Sequence, residues 1–97
     1  MASNQNTLAA ATVTTAGTRV QLNGGTSKLV RSLRITGDSG NGSGYIYVGD
    51  KNVSSSRYIA RLAVDDFYTF DAPVVDIARV WIDASSNGLK AQVSYAS

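Results

Sequence analysis

The sequence contains no cysteine, no histidine and no glutamate. Without cysteine there are no disulfides and no thiolate metal sites to stiffen a small domain. Most hydrolytic and zinc chemistry turns on a His, Cys or Glu. The Asp, Lys, Tyr and Ser that remain rarely build an active site unaided in so small a domain, so an enzyme is not expected. Proline occurs once, at Pro73. No apolar run approaches the roughly 18 residues that a membrane span requires. All seven acids are aspartates, and the nine cations are scattered singly, for a formal net charge of +2. No basic tail or patch marks a nucleic-acid or membrane partner.

What is present is β-forming and turn-forming. The 97 residues suit one domain, with roughly 5,300 Å² of surface exposed on folding, which leaves an adequate but thin core. No long window keeps apolar residues at helical spacing. Leu8-Ala9-Ala10-Ala11 is too short to hold a helix alone, and residues 1–13 read as an extended N-terminal arm. From there, short alternating segments recur between Gly, Asn and Ser turns. Arg19–Leu22 is a half-buried strand, followed by an Asn23-Gly24-Gly25 turn that accepts positive φ. Lys28–Thr36 is a second, with Leu29, Leu33 and Ile35 on the core side. Arg31 shares their parity and calls for a protected edge or a bulge.

The segment GDSGNGSGYIYVGDKNVSSS, residues 37–56, is the most distinctive. Gly37–Gly44 reads as a hairpin connection. Tyr45–Val48 reads as a strand with Ile46 and Val48 inward and both tyrosines outward, and residues 50–56 as its polar rim. Tyr58–Val64 follows, then an Asp65-Asp66 turn, then the strand Phe67–Phe70. Pro73 marks a loop or edge, and Val74–Ala78 has room for one helical or 3₁₀ turn. Val80–Ile82 and Leu89–Tyr95 are the closing strands. The expected fold is all-β: a single small β-sandwich or jelly-roll-like domain, residues 14–97, carrying the N-terminal arm.

Several stretches imitate chemical motifs. Gly40-Asn41-Gly42-Ser43-Gly44 opens a strand, whereas phosphate-cradling loops open a helix. Asp38-Ser39-Gly40-Asn41-Gly42 starts like a calcium loop. It offers glycine at the third position, however, and lacks the terminal Glu. Asn41-Gly42-Ser43 and Asn52-Val53-Ser54 spell glycosylation sites; with no signal-peptide core in the polar N-terminus, they read as turn polarity. No metal, cofactor or catalytic residue is expected. The candidate interface is Tyr45, Tyr47, Arg57, Tyr58, Arg61 and Trp81, because Tyr and Arg are enriched where proteins meet. Arg57 and Arg61 share one parity, with Ile59 between them; Tyr58 has the opposite parity, that of the core. Trp81 reads as core or interface packing. Aromatic-cationic faces also bind sugars or single-stranded nucleic acid by stacking. With so mild a charge, nucleic acid ranks below a protein interface.

Taken together, the phrases Leu33-x-Ile35, Gly44-Tyr-Ile-Tyr-Val-Gly-Asp-x-Asn-Val-Ser-Ser, Val80-Trp-Ile-Asp-Ala-Ser and Val93-Ser-Tyr95 give the chain a likeness. From about Thr14 onward it resembles small tailed-bacteriophage virion proteins, β-rich components that include capsid decoration and head or tail accessory proteins. The resemblance implies a structural role in the virion, foremost a capsid decoration or cement protein. Such a protein is made in the host cytoplasm and binds the major capsid protein non-covalently as a homo-oligomer such as a trimer. It assigns no role to individual residues. The alternatives are a tail, neck or host-attachment module that binds carbohydrate and, behind it, a small single-stranded nucleic-acid binder. An extended N-terminus could also lie across a neighbour or add a strand to its sheet.

Overall fold

In a computed structural model the described residues are 5–70 and 75–96. They form ten strands: β1 (Gln5–Val13), β2 (Val20–Gln21), β3 (Leu29–Val30), β4 (Ser32–Gly37), β5 (Ile46–Gly49), β6 (Ala60–Leu62), β7 (Phe67–Phe70), β8 (Val75–Asp76), β9 (Trp81–Ala84) and β10 (Leu89–Ala96). The only helical pieces among them are 3₁₀ turns at Leu22–Gly25, Ser39–Asn41 and Ile77–Arg79. One antiparallel sheet runs β1-β10-β4-β7, here sheet A. A second runs β2-β9-β5-β6, here sheet B, and β3 pairs with β8 as a small third. Sheets A and B pack face to face, with β1 beside β2 and β6 beside β7. The domain is therefore an all-β sandwich.

Alternation fills its interior. Sheet A contributes Val13, Leu33, Ile35, Ala91 and Val93, and sheet B contributes Ile46, Val48, Leu62, Ile82 and Ala84. Leu22, Val30, Ile77 and Val80 close the ends. The exposed surface is 5566 Å², close to the roughly 5,300 Å² that size alone dictates.

Residues 5–13 are extended as expected, and they lie along β10 of their own chain. Leu8 faces Val93 and Ala11 faces Ala91, so β1 carries one extra residue between them. That irregularity puts Leu8, Ala11 and Val13 on the core side despite their mixed parity. Because this strand already completes one edge of sheet A, only its outer hydrogen-bonding side remains for a neighbour.

Four readings are corrected. The strand expected at Arg19–Leu22 is confined to Val20–Gln21; Leu22 opens a 3₁₀ turn instead, and Asn23, Gly24 and Gly25 take positive φ there. Lys28–Thr36 is broken at Arg31, where the chain leaves β3 and enters sheet A. The break flips the parity: Leu29 is 65% exposed, whereas Val30 is buried. The Gly37–Gly44 segment is a crossover from sheet A to sheet B, not a hairpin loop. Its Asn41 is buried and stands in for a strand residue against β10: Nδ2 donates to the Lys90 carbonyl (2.8 Å) and Oδ1 accepts from the Lys90 N–H (2.9 Å). Finally, Tyr58–Val64 is a strand only over Ala60–Leu62. The Asp65-Asp66 turn is present, and Gly37 lies against it so closely that a Cβ would sit 2.2 Å from the Ala63 carbonyl oxygen. The 3₁₀ turn expected near Val74–Ala78 occurs at Ile77–Arg79, capped by Asp76. Pro73 and Val74 lie outside the described residues.

Candidate interaction surface

The six candidate residues belong to the outer side of sheet B and the loop that covers it. Ile46 and Val48 point into the core, so strand alternation sends Tyr47 outward. In register, Tyr47 stands between Arg61 on β6 and Asp83 on β9, and Gly49 stands opposite Trp81.

Tyr47 nevertheless is only 7% exposed, which corrects the expectation that it is a surface residue. The cause is the loop after β5, which folds back over the sheet. The Tyr58 ring lies 5.2 Å from the Tyr47 ring, tilted by 31°. Val53 is fully buried and packs on Gly49, where a Cβ would come within 3.0 Å of Val53 Cγ2. The loop is pinned along its length. Asp50 accepts from the Asn52 N–H at 2.8 Å. Ser54 and Arg57 exchange backbone hydrogen bonds of 2.8 and 3.2 Å, and the Ile59 N–H donates to the Val48 carbonyl at 2.7 Å. The residues expected as a polar rim thus form an ordered lid with one apolar anchor. Val53 is absent from the candidate set; its signal in the sequence is a lone large aliphatic in a polar run just after Gly49-Asp50.

The lid also explains Tyr58. Its parity matches Ala60 and Leu62, yet it precedes the strand, so alternation does not govern it. It packs outward on Tyr47 and keeps 43% of its surface exposed. Beside it Ile59 is 55% exposed and borders a cleft of about 370 Å³ lined by Tyr68, Phe70, Val75 and Val80. The Arg61 guanidinium covers Tyr45, 4.5 Å from the ring centroid. The structure therefore brings Tyr45 together with Arg61, and Tyr47 together with Tyr58, while Arg57 sits exposed on the lid.

Trp81 is set apart. It is half-buried and faces a separate open depression of about 510 Å³, shared with Gly17, Thr18, Arg19 and Lys51. The nearby Asp83 is buried, and its Oδ1 accepts from the N–H groups of Gly17 (2.9 Å) and Ala84 (2.8 Å). Cations therefore dominate the exposed charge of this face: Arg19, Lys51, Arg57 and Arg61.

The motif-like loop at Asp38 is a turn cap. Its carboxylate accepts from the Gln92 side chain and from the Gly40 N–H, and these hydrogen bonds, with Lys90 nearby, hold its pKa below the ordinary value. Asp76 is likewise lowered, first by the Ser27 hydroxyl and then by the Ala78 and Lys28 N–H groups. Among the described residues no three acidic groups converge in a way that could hold a metal ion. None of their helices is long and apolar enough to cross a membrane. No family model, curated protein or solved structure matches the chain.

Proposed function

We propose that this protein is a structural component of a tailed-bacteriophage particle, a decoration or cement protein that binds the major capsid protein without covalent chemistry. The virion setting comes from the resemblance in the sequence. The docking role is supported by one observation: Arg57, Tyr58 and Ile59 lie exposed side by side at the end of a pre-ordered lid, with exposed Arg61 on the strand that follows. Aromatic and Arg side chains of this kind are the usual anchors of protein interfaces. A lid that is ordered before binding costs little entropy on docking. Sugar stacking is less well served, because the Tyr45 ring is covered by Arg61 and Tyr47 is buried under Tyr58. A thin core also suits a subunit that gains stability by assembling with its partner and with further copies.

Purified protein added to particles lacking it should bind in many copies per particle, counted by quantitative mass spectrometry. Tyr58→Ala and Ile59→Ser should each weaken that binding, by about 30-fold at a true anchor position. A few copies per particle would move the assignment to the tail or neck. Absence from purified virions would overturn it.

A further inference from the structure

We infer that copies of this chain associate head to tail, the Asp65-Asp66 turn of one copy docking in the Arg19–Lys51–Trp81 depression of the next. The inference deepens the proposed assembly by naming the contact between copies, and it uses a different surface from the Tyr58–Ile59 patch.

The receiving site combines an aromatic floor with two flanking cations. Trp81 is half-buried, Arg19 and Lys51 are exposed, and the depression is open. Two carboxylates lie near it without lining it: the buried Asp83, held by two backbone donors, and the exposed Asp50, which accepts from the Asn52 N–H. The two charged side chains that line the hollow are both cations, and together with the Trp81 ring they suit an anionic knob.

The same molecule presents one. Among the described residues, Asp65 and Asp66 are the only adjacent acids, and both are exposed. Neither is paired with a cation among those residues. Asp66 accepts from the Ala63 N–H at 3.2 Å, and the other described acids are likewise held by local donors; what distinguishes the turn is two exposed carboxylates side by side. The turn is rigid. The Asp65 N–H donates to the Gly37 carbonyl (3.0 Å), the Gly37 N–H to the Asp66 carbonyl (2.9 Å), and the Asp66 N–H to the Ala63 carbonyl (3.1 Å). Phe67 beside it has the Arg34 guanidinium 4.4 Å from its ring centroid, yet it remains 57% exposed, and that remaining surface would be buried on contact. Two carboxylates meet two cations, and the knob needs no ordering before it binds.

Topology makes the contact intermolecular. The turn joins β6 to β7, the strands at one edge of the sandwich. The depression lies on the β2-β9 side of sheet B, toward the opposite edge. Because knob and hollow are different surfaces, the interface is heterologous, and copies must close into a ring or extend as a chain. The contact is small and charged, so it is salt-sensitive, and a shared capsid surface would strengthen it by raising the local concentration of copies.

Sedimentation velocity on the full chain tests this. The wild-type protein should self-associate at low ionic strength, about 20 mM, and at least tenfold more weakly near 500 mM, where the screening length is only a few ångströms. R19D/K51D removes the hollow. D65N/D66N removes the knob while keeping a side chain that tolerates the positive φ of Asp65 and an oxygen that can accept from the Ala63 N–H. Each variant alone should be monomeric, with circular dichroism and melting unchanged. Mixed together they should form a one-to-one dimer and nothing larger, since each keeps one working half. A wild-type protein that stays monomeric at every concentration overturns the inference. So does association that either variant leaves intact, a mixture that yields no dimer, or a single-stranded oligonucleotide occupying the depression in place of a second copy. Wild-type protein that self-associates but does not bind particles would defeat the proposed function and leave this contact standing.

Discussion

The two main sheets bury similar faces and present different ones outward. Sheet A shows the solvent a plain polar surface. Gln92 stands opposite Thr36, and Ser94 opposite Arg34, which in turn faces Thr69; Phe67 at the edge is covered by the Arg34 guanidinium, 4.4 Å from its ring centroid. Sheet B builds a second packing layer on its outer side, in which Val53 and Tyr58 of the lid pack on Gly49 and Tyr47 of β5. Side chains directly opposite one another on neighbouring strands are close enough to interact, and a lone strand face becomes a binding surface only when something organises it. In sheet B a folded-back loop does so. Sheet A lacks such a cover among its described residues, and its outer side chains only solvate it.

Equivalent truncations on the two faces should therefore differ. Tyr47→Ala removes an aromatic that is almost wholly buried and should cost about 3 kcal/mol by urea unfolding. Arg34→Ala on sheet A removes an exposed cation–aromatic contact worth under about 1 kcal/mol. Equal costs would mean that the lid is not packed as described. Val53→Ala tests the anchor of the lid alone. Two buried methyl groups and the gap left behind amount to about 2 kcal/mol, and amide exchange should quicken across residues 50–58 while β10 stays protected. If β10 exchanged equally fast, the lid would belong to the main core and the contrast between faces would fail.

Asp83→Ala leaves the Gly17 and Ala84 N–H groups without their acceptor, an expected loss of about 1–2 kcal/mol. Asp83→Asn should recover most of it, because an amide oxygen still accepts. The smallest effect is one of pH, and it falls on the sheet A side. The Asp38 carboxyl, held by Gln92 of β10 and by Gly40, has a folded pKa below its unfolded value. Its contribution to stability is therefore present above about pH 4 and disappears as pH falls through the folded pKa. The Gln92 side-chain amide resonance should shift over that acid range in the wild type and stay still in Asp38→Asn. A Gln92 resonance that ignores pH would remove the contact.

Much of sheet A was legible because it obeys alternation. Ala91 and Val93 on β10, and Leu33 and Ile35 on β4, are buried where a period of two puts them. The Asp65-Asp66 turn and the positive φ at Asn23 and Gly24 also follow from residue type. Leu29 was misplaced because the chain changes sheets at Arg31, and alternation holds only within a strand. Tyr47 was misplaced for a different reason: its direction was right, and its burial depends on Tyr58, eleven positions along the chain and across a turn. Asn41 carries no periodic signal at all; it replaces a strand residue by side-chain hydrogen bonds to Lys90, 49 positions away. Of the six candidate residues, Tyr45 stacks with Arg61 and Tyr47 with Tyr58, Arg57 is exposed on the lid, and Trp81 faces a separate depression.

The sequence by itself determined that this is an all-β protein, since closely spaced Gly, Asn, Asp and Ser turns leave runs too short for helices and long enough for half-buried strands. The absence of cysteine likewise excluded disulfides as a source of its stability. Only the tertiary structure decided which outward face is organised, which tyrosine is buried, and that the Asp65-Asp66 turn and the depression at Trp81 lie toward opposite edges. Each of those depends on contacts between segments far apart in the chain, and local alternation carries no information about which strands will be neighbours.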